Sequence, residues 1–235
     1  MSTRPASETA LSARQAAGRV GRRGGRRAIL LLPLTLFAGP GARAQAKNPD
    51  LANAGLANPG LAPTASAFIE AAGRELGAIM REAGGEAARR QRMREFVGRV
   101  VDVPRVGQFC LGRFWRVAGE AERQAYLRLF QEFLAAVVMQ RAGAYGTAQS
   151  RITLQPEQPG EDGVRVPTVV ADGSAAPVGV TWVVAAGRAA DFRIIDVLAE
   201  GISLRQTKRA EFTSFLAAHD GDFAAFLAAL RAHLP

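Results

Sequence analysis

The chain has 235 residues, 30 Lys+Arg against 21 Asp+Glu, and a formal net charge of +9. Eight Arg and one Glu fall within residues 1–44, which leaves 22 basic and 20 acidic residues, a balance of +2, over the remaining 191. The basic character therefore belongs to the leading segment and gives no support to nucleic-acid binding.

Residues 1–44 have the layout of a signal peptide. Arg22, Arg23, Arg26 and Arg27 precede an apolar run from Ala28 to Ala38, Gly39-Pro40-Gly41 breaks it, and Ala42-Arg43-Ala44 is a small-x-small cleavage site. An apolar run of about eleven residues is too short to span a bilayer, which takes roughly twenty. Cleavage before Gln45 and a periplasmic location are expected. Arg26-Arg27-Ala28-Ile29-Leu30 also resembles a twin-arginine export signal, and the general secretory route is equally compatible. Cys110 is the single cysteine, so an internal disulfide is excluded and a buried, inert thiol is expected.

Residues 45–62 show no periodicity and few bulky side chains, as in a disordered N-terminus. From residue 63 to 235 a single domain is expected. Pro63-Thr64 reads as a helix start, and Ile69, Ala72, Leu76, Ile79 and Met80 form one helical face that Gly84-Gly85 ends. Met93, Phe96, Val97, Val100 and Val101 mark a second helix. Pro104 suits the first turn of a third, which would carry Val106, Phe109, Cys110, Phe114 and Val117. A fourth runs from Gly119-Glu120 to about Ala144, with Tyr126, Leu127, Phe130, Phe133, Leu134, Val137 and Val138 on its apolar face.

The period then changes to two. Ile152/Leu154, Val164/Val166/Val170, Val178/Val180/Trp182/Val184 and Phe192/Ile194 predict four antiparallel strands in a meander, with turns at Pro159–Gly163, Asp172–Ser174 and Ala186–Arg188. Pro167 predicts an edge or a bulge in the second strand. Phe212, Phe215 and Leu216, then Phe223, Phe226, Leu227 and Leu230, mark two last helices. The fold class is α+β: a helical layer on one face of a twisted antiparallel sheet of about four strands. Periodicity is compatible with either a filled core or an apolar cavity between the layers.

Catalytic motifs are sparse. His219 and His233 stand near the C-terminus without a nucleophile motif, no spacing suits a metal, and no phosphate-binding glycine loop is present. No catalytic residue, metal or cofactor is expected. Asp196 shares parity with Trp182 and Ile194, which makes it a candidate general base on the apolar side. Its other reading is a strand-end carboxylate bonded to backbone or to an arginine such as Arg209, and the cost of burying an unpaired carboxylate favours that one.

Two segments carry a resemblance. Leu111-Gly112-Arg113-Phe114-Trp115 with Glu122-Arg123-Gln124, and Asp191 to Phe212 with its Asp196-Val197…Glu200-Gly201-Ile202-Ser203-Leu204 run, are similar to the MlaC family, also called the toluene-tolerance auxiliary family. The likeness spans roughly Phe68 to Leu230. The family usually has Trp in place of Phe192 and an Asn-Tyr pair in place of Thr207-Lys208, and Pro167 is unusual in its strand. The resemblance implies a monomeric periplasmic carrier that binds a phospholipid as cargo and shuttles it between the outer and inner membranes as part of an Mla-type ABC transport system. Its implied partners are an outer-membrane lipoprotein–porin complex and an inner-membrane MCE-domain ABC transporter. A hopanoid-associated branch makes a hopanoid carrier the alternative cargo reading.

On that reading an apolar cavity lies between the layers. Phe109, Phe114, Phe130, Phe133, Val137, Val166, Val180, Trp182 and Ile194 are its candidate lipid contacts, and Arg113, Lys208 and Arg209 its candidate headgroup contacts. A small-molecule enzyme on a related cone-shaped α+β scaffold, with Asp196 as base, and an envelope interaction protein with a filled core are the competing classes. A cavity holding Asp196 and a second titratable group points to the enzyme, and no cavity points to the interaction protein.

Overall fold

The computed structural model describes residues 64–145, 151–171, 176–186 and 191–234. The expected signal peptide, the 45–62 segment and the expected turns at Asp172–Ser174 and Gly187-Arg188 lie outside them. Helix α1 (Ala65–Arg81) begins where the Thr64 hydroxyl accepts from the Ala67 N–H at 3.1 Å. Helix α2 (Glu86–Val100) follows Gly85 and keeps Met93, Phe96, Val97 and Val100 buried. Helix α3 (Val103–Leu111) is capped by Asp102, which accepts from Arg105 N–H at 3.0 Å, with Pro104 in its first turn.

The expected third helix does not continue to Val117. Gly112 takes φ +54° and ψ −124°, and a separate turn of helix, α4 (Phe114–Val117), follows. Val117 is consequently 74% exposed and not part of the core. Helix α5 (Glu120–Tyr145) is the longest. It lies close against α3: a Cβ at Gly107 would fall 2.8 Å from Leu127 Cδ2, and the buried Tyr126 hydroxyl donates to Gly107 C=O at 3.2 Å. Among the described residues, no helix is long and apolar enough to cross a membrane.

The sheet is antiparallel, formed by β1 (Arg151–Leu154), β2 (Gln158–Pro159), β3 (Val164–Ala171), β4 (Val178–Ala186), β5 (Phe192–Ala199) and β6 (Ile202–Ser203). Its order is β1-β3-β4-β5-β6, with β2 also on β3. The four long strands are the expected meander; β2 and β6, two residues each, are additions too short to show periodicity.

Pro167 is neither on an edge strand nor in a bulge. It stands opposite Thr181 inside the sheet, and its carbonyl accepts from Gln155 N–H at 2.9 Å. The N and C=O of one strand residue point the same way, so the ring nitrogen faces the break between β1 and β2, where no ladder partner is required.

The bulge lies in β5. Val183 stands opposite Asp196 and Val184 opposite Ile194, so Ile195 is the extra residue and Ile194, Ile195 and Asp196 are all buried. Helix α6 (Leu204–Ala218) starts at Ser203, whose hydroxyl accepts from Gln206 N–H at 3.2 Å, and α7 (Phe223–Arg231) starts at Asp222. The helical layer is tied to the sheet through backbone: Val101 bridges Ile194, and Asp102 N–H donates to Ile194 C=O at 3.0 Å. One aromatic core joins α5, α6 and α7, with Phe212 against Tyr126, Phe130 and Phe226 at centroid separations of 6.4, 6.1 and 5.2 Å.

Candidate functional site

Between the helices and the sheet lies a cavity of about 450 Å³, within the roughly 300–1,000 Å³ range of small-ligand sites. Its wall comes from α1 (Ile69, Ala72, Leu76), the end of α2 (Phe96, Val97, Val100, Val101), α3 (Val106, Cys110) and α5 (Phe130, Leu134, Val137, Val138). The sheet supplies Ile152, Leu154, Trp182, Ile194, Ile195 and Val197. Cross-strand pairing explains the sheet side. Leu154 is opposite Thr168 and Trp182 is opposite both Val166 and Val197, so their side chains share one face. Trp182 is held in place by its indole N–H donating to Thr168 Oγ1 at 3.1 Å, while that hydroxyl donates to Val180 C=O at 2.8 Å.

Burial falls along the cavity. Val97, Cys110, Phe130 and Ile195 are 1% exposed or less, while Ile152 is 52% exposed. Glu70 and Arg74, also on the wall, are paired at 2.6 Å with side chains 58% and 66% exposed. The cavity thus has a floor at α3 and β5 and a mouth at α1 and β1.

Of the nine expected lipid contacts, Phe130, Val137, Trp182 and Ile194 lie on the cavity wall. Phe109, Phe114, Phe133, Val166 and Val180 do not. Phe109 is covered by the guanidinium groups of Arg205 and Arg209, 4.6 and 4.9 Å from its ring centre. Phe133 packs on Phe130 and under Lys208. Val166 is fully buried opposite Trp182, and Val180 is opposite Thr168. Phe114 faces a separate open groove shared with Arg113, Val117 and Asp220. The α1 and α2 residues of the wall were foreseen as helix faces, but nothing in a 3.6-residue period distinguishes facing a void from facing a core.

Of the headgroup candidates, Lys208 alone lies on the cavity wall, where its ammonium meets Glu211 Oε2 at 2.7 Å. Arg209 is exposed and donates to Phe109 C=O at 3.3 Å; Arg113 is exposed, 4.9 Å over the Phe114 ring.

Asp196 does reach the cavity wall, beside Cys110, Arg205 and Lys208, so the cavity holds it with further titratable groups as expected for the enzyme class, and the decision falls to how those groups are engaged. The expected parity with Trp182 fails because of the bulge at Ile195: Asp196 pairs across from Val183. Both of its oxygens accept hydrogen bonds. Oδ1 accepts from Val197 N–H at 2.8 Å and Arg205 N–H at 3.1 Å; Oδ2 accepts from the Ser203 hydroxyl at 2.6 Å and lies 3.3 Å from Arg205 Nε. The Arg205 Nε contact lacks good hydrogen-bond alignment, but at this separation it is an ion pair. Three of a carboxylate's roughly four lone-pair directions accept hydrogen bonds, and the adjacent Arg205 cation opposes adding a proton at the remaining one. The structural reading therefore holds, with Arg205 in the place expected for Arg209. Arg205 also pairs with Asp162 in the turn between β2 and β3, and that contact holds the Asp162 carboxyl below its usual range. Burial, helped by the Asp196 charge, pushes the Cys110 thiol up to about 12, so it is no nucleophile.

The family model described as MlaC protein matches residues 72–232. Among solved structures, the chain is similar to a phospholipid-binding protein from Ralstonia solanacearum in complex with a phospholipid. The identity is 20% and the TM-score 0.59, over 73% of this chain and 99% of that one.

Proposed function

The chain belongs to the MlaC family, and from that premise we propose that it is a lipid carrier whose cavity takes the acyl chains of a phospholipid. The observation that carries this reading is the cavity itself: an apolar void with a buried floor and an open mouth, lined by aliphatic and aromatic side chains. A diacyl lipid has on the order of thirty methylenes, each costing about 0.8 kcal/mol to bring from bilayer to water. Free diffusion is therefore negligible, and a soluble carrier works by replacing the bilayer interior with an apolar wall. Phe130, Val137, Trp182 and Ile194 are the proposed acyl contacts, joined by Ile69, Leu76, Phe96 and Val101.

The charged groups at the cavity are matched with one another, Glu70 with Arg74, Asp196 with Arg205, and Lys208 with Glu211. This arrangement supports a carrier and offers no free acid or base for a reaction. After export and cleavage near Ala44-Gln45 the protein would act in the periplasm, receiving or delivering lipid at an outer-membrane lipoprotein–porin complex and an inner-membrane MCE-domain ABC transporter. The Ralstonia protein, whose fold it shares, was solved with a phospholipid bound, which agrees with this cargo.

The test is native mass spectrometry of the protein purified from cell extract without detergent, followed by organic extraction. A phospholipid is expected at about one per chain. Folded protein that carries no lipid, and takes none from vesicles, would overturn the proposal.

A further inference from the structure

Resting on the carrier reading, we propose that the ion pair Glu70–Arg74 at the cavity mouth is a headgroup site that selects zwitterionic over anionic phospholipids. Two ends of the cavity carry charge, and they differ in what they can release. At the floor, Arg205 is 14% exposed and engaged by both Asp196 and Asp162, while Lys208 is 15% exposed and held by Glu211. Introducing a phosphate there would bury a charge and break buried pairs.

At the mouth the situation is reversed. Arg74 and Glu70 are more than half exposed, and among the described residues they pair with each other along one helix. Such pairs contribute little, so partners exchange easily. Both residues lie on the wall beside Gly73 and across from half-exposed Ile152, where the chains of a lipid with its tails on the floor would emerge. Arg151 precedes Ile152 and points to the opposite face of β1, so it adds no second cation.

The chemistry fits one headgroup class. The guanidinium of Arg74 can take a phosphate through two parallel hydrogen bonds. Four residues and about 6 Å of helical rise away, the Glu70 carboxylate meets a cation linked to that phosphate by two carbons. An ethanolamine or choline head satisfies both residues in place of each other. A glycerol head offers a phosphate and hydroxyls but no cation, and leaves its negative charge uncompensated beside Glu70. An uncharged polycyclic lipid would satisfy neither.

The test loads purified protein from vesicles of equimolar phosphatidylethanolamine and phosphatidylglycerol with identical acyl chains, and reads bound lipid by native mass spectrometry. The unaltered protein should take the zwitterionic lipid in about two- to fivefold preference, the size expected of a half-exposed ion pair. Glu70→Gln should bring the ratio near one, Glu70→Arg should invert it, and Glu120→Gln, an exposed carboxylate outside the cavity, should leave it unchanged. Equal ratios in the unaltered protein and both Glu70 variants, with loading intact, would overturn the headgroup site alone. So would a ratio that moves with Lys208→Gln but not with Glu70. Failure of the unaltered protein to load either lipid would instead sink the carrier reading beneath it.

Discussion

Asp196 shows how one side chain can look catalytic in sequence and be structural in the fold. It joins β5, the start of α6 and Arg205, and through Arg205 the turn that holds Asp162. Removing one partner of such a buried set typically costs about 3–5 kcal/mol. Asp196→Ala should therefore lower stability by that order in urea titrations, while the folded fraction still carries lipid. Loss of lipid at unchanged stability would contradict the structural role. Cys110 leads to a pH prediction. Its thiol is pushed up to about 12, well above an ordinary cysteine, and the Tyr126 hydroxyl is raised by burial as well. Above about pH 9 the unfolded chain loses the thiol proton and the folded chain keeps it, so stability is full below 9 and falls as pH rises toward 12. The slope is about 1.4 kcal/mol per pH unit for each such group. Urea midpoints at successive alkaline pH values should decline, and Cys110→Ala should decline less steeply; parallel declines would remove Cys110 from the account.

At the scale of elements, Gly112 sets where α3 stops. Its φ of +54° is poorly available to residues with a Cβ, and an added Cβ would lie 3.3 Å from an Arg209 guanidinium nitrogen. Gly112→Ala should cost at least about 1–2 kcal/mol, read as a lower thermal midpoint with the helical circular-dichroism signal retained. No loss of stability would mean that α3 and α4 can merge into one helix. The apolar residues from Val106 to Val117 read as one stripe because periodicity counts residue types, whereas the break depends on one dihedral. Most other elements were legible for the converse reason: the helix start at Pro63-Thr64, Pro104 and the alternation of β3 to β5 are written in neighbouring residues. The bulge at Ile195 was not, since one inserted residue leaves the local alternation unchanged and appears only against β4. Four of the nine expected contacts reach the cavity wall for a related reason: pattern assigns a face, and only the facing element decides whether it meets atoms or space.

At the scale of the whole molecule, a carrier must keep its layers apart without the cargo that fills them. The layers are anchored at the floor, where Asp102 N–H bonds Ile194 C=O and Asp196 engages α6, and nearer the mouth the Ser66 N–H of α1 donates to Glu157 Oε1, just past β1, at 2.7 Å. Trp182 spans the interval, its indole fixed by Thr168 so that the ring stays on the cavity wall. Lipid that binds the folded state alone adds stability by mass action, about 2.7 kcal/mol at a hundredfold excess over Kd. Organic extraction of the protein should therefore lower its thermal midpoint, and reloading from vesicles should restore it. A carboxylate placed on the wall should separate packing from cargo: Val137→Asp should abolish lipid loading and with it the lipid-dependent part of the midpoint. Val117→Asp, on an exposed turn outside the cavity, should leave both intact. If Val137→Asp folds and loads lipid as the unaltered protein does, the acyl chains run elsewhere. If both variants lose lipid equally, the cavity is not the determinant of binding.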